Sequence, residues 1–339
     1  MRAMYVFDRR LRPGPARAAL LHRAAGAGID TLITKAAAVD DDLAGDCAAA
    51  GLTVLGSVAC FSDHAEPPGH RRDDLRPVDA GGRVWQPMEW YTGLVPTDTN
   101  YTAALIDRCA ALAGRPVDGL ILDFIRWPLH WELELRTGAV PRAASFDPAT
   151  LARFTAWSGI ALPGAPHAAA ALLRGRLREQ WTAFRCAVVT DVIRRVAQRV
   201  RPHRWLGAFV VPAAGDAARR DLLGQAVADW RPWLDAVLPM TYHAILGQPP
   251  SMVADRGADI AAAFRGPAIP MVQVTSDPHV ARGYDWGPPV APGDLTAALD
   301  HADTVGDGWC LFPGDGMDEP RWRLVEHHLA HHHTGEASP

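Results

Sequence analysis

The chain of 339 residues has only five cysteines: Cys47, Cys60, Cys109, Cys186 and Cys310. Their number is odd and none stand in CxxC spacing, which excludes a disulfide framework or a zinc knuckle and fits a reducing compartment. No uninterrupted apolar run reaches the roughly 18 residues of a membrane span. A charge excess is missing too: 34 Lys and Arg against 38 Asp and Glu leave a formal −4, without the basic stripe of a nucleic-acid binder. No GxGxxG follows the first apolar run, so the dinucleotide-binding doubly wound sheet lacks its signature. HExxH is absent, the first strand ends in Val6-Phe7-Asp8 rather than HxH, and no Gly-rich phosphate cradle occurs, so neither a metal nor a cofactor is expected. The start, Met1 to Asp8, reads as a strand without an apolar leader, which points to the cytoplasm unless a leader has been removed. With 48% apolar and 21% charged residues, disorder, collagen and coiled coil are excluded as well.

Tryptophan is abundant: 12 Trp outnumber 9 Phe and 5 Tyr. Its broad apolar face suits the C–H-rich side of a sugar ring, and equally a packed core. Short apolar runs recur, each followed by an amphipathic stretch. Strands are predicted at Ala3–Phe7, Thr31–Thr34, Thr53–Phe61, Gly119–Phe124, Trp205–Val211, Ala236–Tyr242, Ile269–Thr275 and Gly308–Phe312. Helices are predicted at Ala16–Ala25, Asp41–Ala50, Tyr101–Ala113, Gln180–Arg201, Leu222–Trp230, Met252–Phe264, Leu295–Thr304 and Pro320–Ala330. Eight strand–helix units without hairpin signals imply right-handed parallel crossovers and a single α/β (β/α)8 barrel, a TIM barrel, over residues 1–331, with a polar tail at 332–339.

Unit spacing locates the function. The intervals are regular except after strands three and four, where they stretch to about 65 and about 88 residues. The excess falls in loops at about 62–98 and 128–178, on the face where barrels build active sites. These loops carry Trp85, Trp90 and Tyr91, then Trp127, Trp131 and Trp157.

Strand four centres the chemistry. Along Gly119-Leu120-Ile121-Leu122-Asp123-Phe124 the alternation puts Gly119, Ile121 and Asp123 on one face and the bulky Leu120, Leu122 and Phe124 on the other. The bulky face suits the helix layer, which aims Asp123 up the barrel axis, with Arg126 as its natural partner. Asp118, at the opposite end, reads as a turn or cap residue.

The segment Asp118-Gly119-x-x-Leu122-Asp123-x-Ile125-Arg126-Trp127-Pro128 resembles the "DGIHLDYIRYP" signature of the glycosyl-hydrolase-like family 10 barrels. Leu94 to Tyr101 is similar to the family's "CPTNPxYR" stretch, and Trp181 to Arg185 with Val189–Val200 to its "WxxWR…VTxLV" helix. Trp230-x-x-Trp233-Leu234-Asp235-x-Val237-Leu238-Pro239-Met240-Thr241-Tyr242 resembles its strand-six motif. The resemblance spans about residues 85–245 in order and implies a barrel that hydrolyses glycosidic bonds. Strands four and six also look like distant relatives of the family 18 chitinases, but Ile125 stands where that motif carries its acid Glu, so a chitinase mechanism is not expected.

Glycoside hydrolysis usually needs two carboxyls flanking the bond. Asp123 is the first, oriented by Arg126. For the second the candidates are Asp63, which directly follows a barrel strand and ranks first, then Glu89, Asp277 and Asp315; Asp8 is the last, or a structural partner of Arg9 or Lys35. Substrate contacts are expected from Arg126, Trp127, Tyr242, His243, Trp85, Trp90, Glu89, Gln273 and Asp8, with Trp286 as a further stacking wall. The expected partner is a carbohydrate, not a nucleic acid or a membrane, and the enzyme is expected to work without a metal. Two alternatives remain: a catalytically inactive carbohydrate-binding barrel, and acyl removal from sugar by Ser62 with His64.

Overall fold

A computed structural model describes residues 1–64, 66, 70–86, 91–142 and 144–334. Eight strands, β1 (Arg2–Tyr5), β2 (Thr31–Lys35), β3 (Thr53–Ala59), β4 (Gly119–Asp123), β5 (Trp205–Val210), β6 (Ala236–Pro239), β7 (Met271–Gln273) and β8 (Trp309–Phe312), pair in the order 6-5-4-3-2-1-8-7. All paired strands are parallel. Among the described residues one parallel bridge, Val237 to Ala268, joins β6 to the approach to β7. There Val237 N donates to Pro267 O and Ile269 N to Val237 O, both at 3.0 Å. The result is the single (β/α)8 barrel that the periodicity predicts.

The outer layer holds α1 (Pro15–Gly26), α2 (Asp41–Ala49), α3 (Thr99–Ala113), α7 (Arg178–Val200), α8 (Asp216–Leu223), α9 (Met252–Phe264), α10 (Pro292–Asp303) and α11 (Glu319–Thr334). The loop after β4 adds α4 (Trp131–Glu134), α5 (Pro148–Ser158) and α6 (Pro166–Arg174). Carboxylates start several of these helices, where the first backbone N–H groups have no partner within the helix. Asp40 accepts from Leu43 N, Asp98 from Tyr101 N and Asp147 from Thr150 N. The helix expected over Leu222–Trp230 is instead α8 and a separate 3-10 turn at Val227–Trp230. Gly224 ends α8 in the left-handed conformation (φ 64°), and the Gln225 amide oxygen then accepts from Val211 N at 3.0 Å. Among the described residues no helix is long and apolar enough to cross a membrane.

Strand alternation divides the core in two. Leu32, Val54, Leu120, Leu122, Leu206, Val272 and Leu311 pack outward against the helices. Ala3, Tyr5, Ile33, Leu55, Ile121, Phe209, Leu238 and Met271 fill the barrel. β4 thus has the predicted phase, and Asp118 at its base accepts from Val54 N at 2.7 Å.

The two long loops, after β3 and after β4, pack on each other. Asp79 bridges Ala144, Phe146 N donates to Val78 O at 3.0 Å, and the Thr97 and Thr150 hydroxyls meet at 2.7 Å. They form one lobe beside the barrel mouth.

Candidate active site

Asp123 is the last residue of β4, in register with Ala59 of β3. Phe124 follows with φ 49°, a left-handed conformation that costs a side-chain-bearing residue about 1–3 kcal/mol. The turn is held because Phe124 N donates to Asp123 Oδ1 at 2.7 Å and the Phe124 ring stacks on Tyr91, 5.7 Å away at 24°. It also breaks the alternation: Phe124, expected among the outer helices, lines the barrel-mouth cavity with Asp123. That cavity has a volume of about 590 Å³. Burial pushes the Asp123 carboxyl up to about 6, opposed by the Phe124 N–H and by Arg126. Tyr5, its hydroxyl 3.5 Å from Ser57 Oγ, lies beneath; burial, with Asp123 nearby, keeps that hydroxyl well above its ordinary pKa.

A second carboxyl reaches the same cavity from α4. Glu132 is 9% exposed, and its Oε2 has no hydrogen-bond partner among the described residues. Burial pushes it up to about 8; Arg126 opposes the shift and Asp123 adds to it. Near neutral pH it is therefore a buried, protonated acid. Glu134, two residues on, differs: it accepts from His130 N (3.1 Å), Arg142 N (2.6 Å) and the Arg142 guanidinium (2.9 Å).

An aromatic wall faces these acids. Tyr242 stacks on Phe312 at 4.4 Å and 15°, and Phe312 touches Trp286 at 5.6 Å and Tyr5 at 5.5 Å. Trp131 packs on Tyr242 at 5.7 Å, and all five rings line the cavity. Flat apolar rings beside a few carboxyls suit a sugar ring. Polar groups mark the rim, among them Asp8, 3.4 Å from Lys35 Nζ, and the Ser62–His64 pair, with Oγ and Nδ1 3.0 Å apart. Burial lowers His64 to about 4, so it is neutral but a weak base. Among the described residues no three His, Cys, Asp or Glu side chains gather as a metal-ligand group.

Solved structures share this architecture. The PgaB (BpsB) glycoside hydrolase domain from Bordetella bronchiseptica superposes with a TM-score of 0.69 at 16% identity, over 96% of this chain and 97% of that one. A polyextremophilic β-galactosidase from the haloarchaeon Halorubrum lacusprofundi gives 0.71 at 14% identity, over 100% of this chain and 59% of that one. The catalytic domain of a β-amylase from Paenibacillus polymyxa gives 0.63 at 10% identity, over 100% and 99%. The chain shares its fold with glycoside hydrolase domains. No family model and no curated protein matches the sequence.

Of the expected site residues, Asp123, Tyr242, Arg126, Asp8, Asp63 and Trp286 line the cavity, as do Ser62 and His64 of the alternative reading. Arg126 makes no ion pair with Asp123; its Nη1 donates to Leu129 O at 2.7 Å and to the Tyr91 hydroxyl at 3.3 Å. Asp63 is bound in a buried bidentate pair with Arg76 (2.8 and 3.0 Å) and accepts from Arg72 N at 2.7 Å. Both of its oxygens are therefore engaged, and no hydrogen bond joins it to His64 to extend the Ser62–His64 pair.

Other expected residues are placed elsewhere. Trp127 is fully buried in the outer core, donating to Arg185 O at 3.0 Å and packed on Trp181 and Phe184, because the left-handed Phe124 turns the chain outward. His243 is 3% exposed and lies outside the cavity lining; neither ring nitrogen has a hydrogen-bond partner among the described residues. Gln273 is used within the protein: its Oε1 accepts from Ile245 N, and its Nε2 donates to Thr275 O, Ser276 Oγ and Trp286 O. Asp277 shapes the loop after β7, accepting from His279 N at 2.8 Å, and Asp315 accepts from Phe7 N at 2.8 Å; neither lines the cavity. Trp85 stacks over Arg142 (4.4 Å) at a separate small recess. Glu89 and Trp90 lie outside the described residues.

Glu132, Tyr5 and Phe312 are among the cavity residues that the sequence reading missed; Trp131 it placed in the enlarged loop without a role. The available signal was an acid beside a tryptophan, Trp131-Glu132, nine residues after Asp123 in an enlarged loop.

Proposed function

We propose that the protein is a glycoside hydrolase acting on an oligo- or polysaccharide, with Glu132 as general acid and Asp123 as the second carboxylate. One observation carries this reading: two carboxyls held at about 8 and about 6 face one aromatic-lined cavity at the C-terminal end of a (β/α)8 barrel. At pH 7 Glu132 holds its proton while Asp123 is largely ionised.

In this mechanism Glu132 gives its proton to the glycosidic oxygen as the carbon–oxygen bond breaks, and the leaving sugar departs as an alcohol. Asp123 faces the positive charge developing at the anomeric carbon, either attacking it or removing a proton from the water that does. The Arg126 guanidinium beside Glu132 favours the anion left after proton transfer. Both chemical groups belong to the chain, and the reading calls for no metal. The strand-four and strand-six motifs support kinship with the glycosyl-hydrolase-like family 10 barrels, and the fold shared with glycoside hydrolase domains supports the reaction class.

The test is a glycan panel with product analysis on wild type, Asp123→Asn and Glu132→Gln. Cleavage by wild type, reduced about 10²–10⁴-fold in each variant, is the expected result. Glycan binding by calorimetry with no product after long incubation would overturn hydrolysis and leave a carbohydrate-binding barrel.

A further inference from the structure

The Glu132 side chain has a free oxygen, and the four-residue α4 that carries it is too short to hold a position by itself. Arg142 holds Glu134 of α4 within the same loop, and Arg136 ties α4 to the loops after β6 and β7. Arg136 Nε donates to Glu132 O at 2.9 Å and to Ile245 O, in the loop after β6, at 2.8 Å. Its Nη2 donates to Asp285 O, in the loop after β7, at 2.8 Å, and its Nη1 pairs with the Asp285 carboxylate. Gln248 Nε2 adds a bond to Thr137 Oγ1 at 2.9 Å. The loops after β6 and β7 are themselves pressed together: a Cβ on Gly287 (φ 83°) would stand 1.8 Å from Ala244 O. Ile245, Trp286 and Glu132, each next to or part of these contacts, all line the cavity.

We infer that Arg136 is the positioning residue for the proton donor: a planar guanidinium that joins the loops after β4, β6 and β7 and so fixes where Glu132 meets the glycosidic oxygen and where Trp286 meets the sugar. The inference rests on the proposed role of Glu132. Its chemistry follows from the fork of donors on arginine, which can satisfy three carbonyls and a carboxylate at once, whereas the single ammonium of lysine cannot. Arg136 touches no substrate in this arrangement and acts through Glu132. The charged groups felt by the Glu132 carboxyl are Arg126, Asp123 and Arg136; burial outweighs the two arginines, and Asp123 adds to it.

Two measurements test the clamp. The first compares a 2,4-dinitrophenyl glycoside, whose leaving group needs no proton, with the matching methyl glycoside. Arg136→Ala is expected to lose at least about tenfold more kcat on the methyl glycoside, with Arg136→Lys failing to restore it. Equal losses on both substrates would overturn the proposal, because general loosening of the fold does not discriminate between leaving groups. Glu132→Gln measured alongside separates the readings: if it shows no leaving-group dependence, the acid assignment itself fails. If it does and Arg136→Ala does not, only the clamp fails.

The second needs no turnover: the Glu132 carboxyl is titrated by carbon-13 NMR, its signal identified by its loss in Glu132→Gln. In Arg136→Ala water entry should move the midpoint down by about one pH unit, against the rise that loss of the Arg136 charge alone would cause, and by less in Asp285→Ala. A midpoint that stays or rises in both variants would overturn the clamp.

Discussion

The loops after β3 and β4 begin alike: each leaves a barrel strand, swells far beyond the ordinary connection and carries an acid to the cavity. Their acids have opposite fates. Asp63 meets Arg76 in a bidentate pair, with the side chains 4% and 3% exposed, and its pKa falls below the ordinary carboxylate range despite burial. Glu132 has an unpaired oxygen, and its pKa rises to about 8. Both are carboxyls that line the cavity; the partner decides whether a buried carboxyl holds a loop or holds a proton. A barrel strand end is therefore not enough to nominate a catalytic acid.

Four substitutions sharpen that contrast. Asp123→Asn is expected to lower kcat/KM about 10³–10⁴-fold in steady-state assays while leaving the thermal midpoint nearly unchanged. Asp63→Asn is expected to act on stability instead, costing about 1–3 kcal/mol in denaturant unfolding because the buried Arg76 loses its bidentate partner and keeps only Asp73. If Asp63→Asn abolished turnover without moving the unfolding transition, the comparison would be reversed.

Glu132→Gln comes next, with an expected loss of about 10²–10³-fold on unactivated glycosides. Wild-type kcat/KM should be bell-shaped, limited below about 6 by the protonation of Asp123 and above about 8 by the ionisation of Glu132. The alkaline limb should vanish in Glu132→Gln. The stability effect has a definite sign. The native pKa of Glu132 lies above its ordinary value of 4.5, so the native state holds the proton through the window between 4.5 and about 8. Stability therefore falls as pH rises through that window, and Glu132→Gln should exceed wild type above pH 8 by about 1–3 kcal/mol in unfolding experiments. The smallest effect is expected of Trp286→Ala: a rise in KM of roughly 3–10-fold from a lost stacking face, with kcat nearly kept.

Much of the barrel was legible because strand alternation is a local property. The sequence Gly119-Leu120-Ile121-Leu122-Asp123 has a phase that neighbouring strands cannot change without burying charge in the helix layer, and Asp123 lies where that phase puts it. Beyond Asp123 the same rule misplaced Phe124, and Trp127, expected at the substrate as a loop aromatic, went to the outer core, since one left-handed residue resets the direction of the chain. The partner of Asp63 was hidden for another reason: Arg76 is 13 positions away in an irregular loop, where no period relates the two. Glu132 stayed invisible because its significance lies in lacking a partner, a property of the folded surroundings and not of any pattern of residues.

The β6–β7 seam has a consequence of its own. Around most of the circumference the strands are laced by backbone ladders, but at this seam the described residues show one bridge, reinforced by Thr241 Oγ1 on Met271 O (2.9 Å), the Tyr242 hydroxyl on Met271 Sδ (3.4 Å) and the Gln273 amide. Amide hydrogens flanking that gap should exchange with deuterium sooner than those of β2, β3 and β4. Tyr242 and Met271 belong both to this thin stitching and to the cavity wall, so a sugar lying against them would act as a missing rung, and protection of the gap would report occupancy.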